Sequence, residues 1–160
     1  MKPLLLLFFF PLLSIAQTTN YSVSSFANQD LDLSKKAPNT HYIGNAWLSP
    51  LIQADQEFEY SMTLATFAAN STLDWHKHQT SQVLIVVEGT GYYQEKGKEP
   101  LTLKEGDVIK CEKDIEHWHT STKVSDVTYL ALYGGGKPTT WTEVVTQEYY
   151  DGIAKKLKSN

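Results

Sequence analysis

Asn70-Ser71-Thr72-Leu73-Asp74-Trp75-His76-Lys77-His78-Gln79-Thr80-Ser81-Gln82 opens the stretch whose reading decides the fold, and it continues through an apolar run to Glu88-Gly89. Successive side chains of an extended strand point to opposite faces, so His76 and His78 share one face and Lys77 takes the other. Gln82, four residues beyond His78, keeps the same parity. Leu84 and Val86 follow on it and would line the same interior. Imidazole nitrogen binds mid-series divalent ions well, and an amide oxygen is a neutral hard donor. This face therefore offers three ligands.

A second pair lies farther along, His117-Trp118-His119, with Trp118 turned away from the two imidazoles. One His-x-His on an exposed strand is more often a chance surface pair than a ligand pair. Two such pairs change the balance. A ligand from a distant strand closes a metal cage only after folding, and it leaves positions open for water or substrate, as catalytic sites do. The fifth histidine, His41, sits in a loop-like stretch without a visible partner and reads as surface.

From residue 41 onward, short β-branched and aromatic runs alternate with turn residues. The runs are Glu59 to Phe67, Gln82 to Val87, Gly91 to Gln94, Leu101 to Leu103, Asp107 to Cys111 and Val127 to Tyr133. The breaks carry Asn70, Gly89, Gly97, Pro100, Gly106 and Asp114. Many short strands at regular spacing predict an all-β sandwich or barrel over 41–140. In the tail, 141–160, the capping-box pattern Thr140-Trp141-Thr142-Glu143 and the recurrence of Val145, Tyr149, Ile153 and Leu157 predict a short helix, with Lys155, Lys156 and Lys158 suited to its C-terminus.

Lys2, the apolar stretch Leu4 to Phe10, and small residues up to Ala16 read as a signal peptide over 1–16, cleaved before Gln17; the alternative is a retained anchor. No cysteine follows that cleavage site to carry a lipid. This places the mature protein in the periplasm or outside the cell, with no membrane after cleavage. Residues 17–40 are polar and read as an irregular arm. The remainder is one domain's worth of chain. A net charge of −4 for the full 160 residues argues against nucleic acid or an anionic membrane as partner. Cys111 is the only cysteine, which rules out an internal disulfide and a zinc finger, and it reads as a small buried residue.

The stretch from Asn70 to Gly89 resembles the first motif of the cupin family: His-x-His, then Glu or Gln, then Gly. Gly106-Asp107-Val108 through His117 resembles the second. The similarity spans about residues 44 to 150. Asn70 and Asp114 stand where the motifs usually have Gly, and both types tolerate left-handed turns. The customary proline near Glu112 and Lys113 is missing. Gln82 stands where most cupins carry Glu. Three imidazoles and an amide leave an ion its full +2 charge, a stronger Lewis acid that favours bound anions.

The resemblance implies a double-stranded β-helix, or jelly-roll barrel, with a short C-terminal helix. Trp75-His76-x-His78, Gln82, Leu84 to Gly89, His117-Trp118-His119 and Trp141-Thr142-Glu143 are together similar to the manganese-dependent cupin hydroxynitrile lyases. It implies one divalent metal on His76, His78, Gln82 and His117, manganese first and iron, zinc or nickel as alternatives. His119 would stand beside the substrate as acid/base. Thr63, Ala65, Tyr129 and Tyr133 would line the pocket, Tyr129 where the lyases carry a histidine. Trp75, Trp118 and Trp141 read as packing anchors. The expected function is lyase chemistry on a small hydroxylated substrate. A sugar or uronate isomerase, an iron oxygenase and a non-catalytic sensor remain alternatives. Edge-strand pairing would make a homodimer.

Overall fold

A computed structural model describes residues 35–38 and 40–158. The expected signal peptide, 1–16, and most of the expected arm, 17–40, lie outside the described residues. Twelve strands and one helix follow in order: β1 (Lys35–Lys36), β2 (Tyr42–Ile43), β3 (Ala46–Ile52), β4 (Tyr60–Phe67), β5 (Thr72–Leu73), β6 (Trp75–Lys77), β7 (Gln82–Glu95), β8 (Leu101–Lys104), β9 (Val108–Cys111), β10 (His117–Ser121), β11 (Val127–Gly134), β12 (Thr140–Glu143) and α1 (Gln147–Lys158). The fold is the all-β jelly-roll barrel with one short C-terminal helix. Its main sheet runs β1-β3-β4-β11-β7-β10-β6-β12, with β8 and β9 also on β7, while β2 and β5 form a separate pair. Every pairing is antiparallel.

Strand β7 closes the structure because it serves two sets of neighbours. Its first half pairs with β9 and β11, its second with β8 and β10. The two runs read from sequence are therefore one strand. Gly89, expected as a break, bends it without ending it: its φ is +79°, and a Cβ there would lie 2.1 Å from Asp126 O. Asn70 and Asp114 adopt φ of 60° and 62°, the left-handed turns expected of them.

Alternation along the strands divides the apolar residues into two cores. Phe67, Leu73, Leu84, Val86, Tyr93, Leu103, Val127 and Tyr129 fill the barrel, with Cys111 buried beside them. Trp75, Tyr92 and Trp118 point outward and pack with Val145, Tyr150, Ile153 and Ala154 of the tail. Trp75 and Trp118 are thus the packing anchors expected. The buried indole Nε1–H of Trp118 donates to Gln94 Oε1 at 3.1 Å, so this outer core leaves no orphaned donor there.

The tail differs from its sequence reading. Residues Thr140 to Glu143 are not a helix cap but strand β12, paired with β6. The helix starts at Gln147, capped by Thr146, whose Oγ1 accepts the Tyr149 N–H at 3.1 Å. A strict spacing of four selected Tyr149, whereas the 3.6-residue turn buries Tyr150 and leaves Tyr149 exposed. Tyr150 OH donates to Ser121 O at 3.0 Å, fixing the helix to β10.

Candidate metal centre

Strand pairing brings the histidines together. His117 lies directly across from His76 on one side, and Trp141 from His76 on the other. Paired residues share a face, so all three point into the barrel. His78 follows β6, and the Asp114 N–H donates to its carbonyl at 2.8 Å, tying the two motifs together. The ligand atoms of His76, His78 and His117 all lie within 4.8 Å of one another. Gln82, first residue of β7, places Oε1 3.2 Å from His117 Nε2.

Backbone carbonyls set the tautomers. His76 Nδ1–H donates to Asp74 O at 2.9 Å, and His117 Nδ1–H to Ile115 O at 3.0 Å. Each Nε2 is then a bare lone pair. His117 Nε2 and Gln82 Oε1 are two acceptors facing each other, and His78 Nε2 is buried without a hydrogen-bond partner. This donor set fits a divalent cation, which takes lone pairs from all of them. Burial also keeps the rings neutral, as ligation requires. It pushes the pKa of His76 well below the ordinary 6.5, helped by His117 and His119, and lowers that of His117. Burial and His117 bring His78 down to about 4.

A cavity of about 200 Å³ opens on this cluster. Drug-sized ligands occupy roughly 300–1,000 Å³, so this one suits a smaller molecule. Tyr42, Leu48, Phe67, Leu73 and Ala131 form its apolar wall. The structure places Thr63, Ala65 and Tyr133 in its lining, and Tyr133 OH lies 3.1 Å from Thr63 Oγ1. His119 lines it beside His76 and His78, with Nδ1 buried and unpartnered. Its pKa is held well below the ordinary value, first by burial and then by His117 and His78.

Three readings change. Tyr129 does not line the cavity: it is 0% exposed, its hydroxyl donates to Thr120 O at 2.7 Å, and its ring braces His119 edge-on at 5.1 Å. Trp141 lines the cavity rather than serving only as packing. His41 is no free surface residue: it stacks on Trp141 at 4.2 Å, and its Nδ1 lies 3.1 Å from Asp74 Oδ2. Phe67 was missed, although strand parity from Thr63 and Ala65 on β4 could have found it. Nothing local pointed to Tyr42, Thr139 or the His41–Asp74 pair, whose partner is 33 residues away.

An antiparallel barrel with a histidine cluster facing its interior is the architecture of a cupin. The family model described as the cupin domain matches residues 63–133. The (R)-mandelonitrile lyase of Granulicella tundricola is 32% identical over 119 residues, covering 73% of this chain and 91% of that protein. The chain belongs to the cupin superfamily and resembles its hydroxynitrile lyases. Among solved structures, a cupin-like protein from Thermotoga maritima has 29% identity and a TM-score of 0.70, over 76% of this chain and 93% of that one. A cupin 2 conserved barrel domain protein from Rhodopseudomonas palustris, 10% identical, shares the fold with a TM-score of 0.59 over 79% and 84% of the two chains.

Proposed function

We propose that this protein is a metal-dependent lyase that splits a small 2-hydroxynitrile into an aldehyde and hydrogen cyanide. The observation that carries the reading is the relative named (R)-mandelonitrile lyase, matched over nine-tenths of its length, together with a small cavity that joins an apolar wall to the histidine cluster. His76, His78, Gln82 and His117 would hold the ion, which we assign as manganese. When bound it supplies Lewis acidity toward the substrate oxygen or the leaving cyanide.

The chain's own residues do the rest. The apolar wall of Tyr42, Leu48 and Phe67 holds the substrate's hydrocarbon part and excludes water. Thr63 and Tyr133 offer hydroxyls at the polar edge. His119, neutral and braced by Tyr129, takes the hydroxyl proton as the bond to the nitrile carbon breaks. The electron pair of that bond leaves with cyanide. The proton from His119 completes hydrogen cyanide, and the aldehyde remains.

Metal-replete protein is expected to release cyanide and benzaldehyde from mandelonitrile. His119→Ala is expected to abolish this while metal content stays at the wild-type level. Normal turnover by that variant removes the proton role; tight binding of mandelonitrile without turnover by wild type replaces the lyase with a capturing module. Export is part of the same reading: the mature N-terminus is expected at Gln17, in the periplasmic or culture fraction, and protein retained in the cytoplasm with Met1 intact contradicts it.

A further inference from the structure

Two elements outside the main sheet complete the cavity wall. Most lining side chains stand on main-sheet strands or on the turns between them, but Tyr42 and Leu73 come from the separate pair β2–β5. The chain leaves the main sheet after β1 and rejoins it at β3, where the Ala37 N–H donates to Ala46 O at 2.8 Å, and β2 lies on that excursion. Backbone bonds hold β2 in place without help from the Tyr42 ring. Tyr42 pairs in register with Leu73, and Ile43 with Thr72. The Asp74 N–H donates to His41 O at 2.9 Å, and the Asn45 N–H to Ser71 Oγ at 2.9 Å. Leu73 is 3% exposed and belongs to the barrel core, whereas Tyr42 is half-buried and packs against that core from outside. Burial and the neighbouring Tyr133 raise the pKa of Tyr42, so its phenol stays neutral.

Ring contacts order this wall from the histidines outward. Phe67 meets His119 at 5.8 Å between ring centres, Trp141 meets His76 at 5.2 Å, and Tyr133 stacks on His78 at 6.4 Å. Tyr42 stands behind them, on Phe67 at 6.1 Å and on Trp141 at 6.0 Å. A substrate whose hydroxyl-bearing carbon sits at the histidines therefore extends its hydrocarbon group toward Tyr42. We propose that Tyr42 is the specificity-determining residue that sets the size limit of this group: a single six-membered ring is accepted, and a fused second ring is excluded. The inference rests on the reading of this cavity as the substrate pocket of a lyase. A second ring lengthens the ligand along the same line, into the Tyr42 side chain. Phe67, Trp141 and Tyr133 cannot be trimmed to admit it without loosening a histidine, whereas Tyr42 can. Taking its ring away leaves the space open, because β2 is fixed by its backbone and the other walls by the barrel ladders. A site that cannot collapse keeps the vacated volume, and an apolar cavity of that kind takes up an apolar ligand.

The test is calorimetric titration of the manganese-replete full chain with benzyl alcohol and with 2-naphthylmethanol. Both keep the hydroxyl-bearing carbon and carry no nitrile to lose, so binding is read apart from turnover. Circular dichroism melts confirm the folding of each variant. Wild type is expected to bind benzyl alcohol about tenfold tighter or more than 2-naphthylmethanol. Tyr42→Ala is expected to reverse that order, tightening 2-naphthylmethanol about tenfold or more. Tyr42→Trp is expected to weaken benzyl alcohol about tenfold by overfilling the same end. Equal affinity of wild type for the two alcohols overturns the proposal, as does a ratio unchanged in Tyr42→Ala or a failure of both proteins to bind either alcohol. Should Tyr42→Ala not fold, Tyr42→Trp decides, and an unchanged affinity for benzyl alcohol overturns the size limit. A wild type that discriminates in this way, and loses the discrimination in Tyr42→Ala, yet releases no cyanide from mandelonitrile supports the size limit and overturns only the lyase reading.

Discussion

Asp74 holds more of the candidate centre than any ligand does. Its carbonyl accepts from His76 Nδ1, its Oδ2 lies 3.1 Å from His41 Nδ1, and its Oδ1 accepts the buried Val145 N–H at 3.0 Å. One residue thereby fixes a ligand's tautomer, the histidine behind Trp141 and the entry to α1. Asp74→Ala leaves the Val145 donor without its acceptor, which costs about 1.5–3 kcal/mol. It also frees the segment that orients His76, so metal affinity is expected to fall at least about tenfold. Titration with metal and a chemical melt check both; unchanged affinity would reduce Asp74 to a structural role. The histidine pairs of the candidate centre were legible because parity is local: two residues apart on a strand means one face. Asp74's role was not, because each partner of its carboxylate comes from elsewhere in the chain. Tyr129 was placed by resemblance alone. It points inward as its parity requires, yet stops behind His119 with its hydroxyl bound to Thr120 O.

At the scale of elements, the sequence's turn residues were readable and their consequences only partly so. Asn70 and Asp114 take the left-handed conformation. Gly89 takes it too, but inside a strand, because a positive φ bends β7 between its two sets of partners instead of ending it. Gly97 has the same φ of +79° with nothing within 4 Å of an added Cβ, whereas at Gly89 that atom would meet Asp126 O at 2.1 Å. Gly97→Ala is therefore expected to cost only backbone strain, about 1–2 kcal/mol. Gly89→Ala adds a backbone clash at the barrel's bend, and about 3 kcal/mol or more is expected. Urea melts of the two variants separate these, and equal losses would mean the bend yields freely. The C-terminal misreading has the same root. Thr140 to Glu143 carries a helix-cap pattern worth about 1 kcal/mol locally. A ladder to β6, with Trp141 set against His76, outweighs it.

For the whole molecule, enclosing several imidazoles in an apolar barrel sets the direction of its response to acid. The unfolded chain binds protons at the ordinary histidine value of 6.5, while burial holds His78 down to about 4 and His76, His117 and His119 below their ordinary value. Between those values the unfolded state carries more bound protons than the folded state, so stability rises with pH there and is lost as pH falls. Metal-free protein in chelator is thus expected to hold a nearly constant Tm above pH 7, to lose Tm as pH drops from 6.5 toward 4, and to level off only below that window. Metal bound to the same lone pairs adds a second dependence of the same sign, because each proton taken by a ligand competes with the ion. Replete protein should therefore melt higher than metal-free protein at pH 7, and the gap should close as the ligands protonate. A scan of Tm against pH with and without metal measures both. A gap that persists unchanged at pH 4 would mean that the ion is held by something other than these imidazoles. A metal-free Tm that is flat across the window would mean that the barrel admits enough water to charge them at little cost.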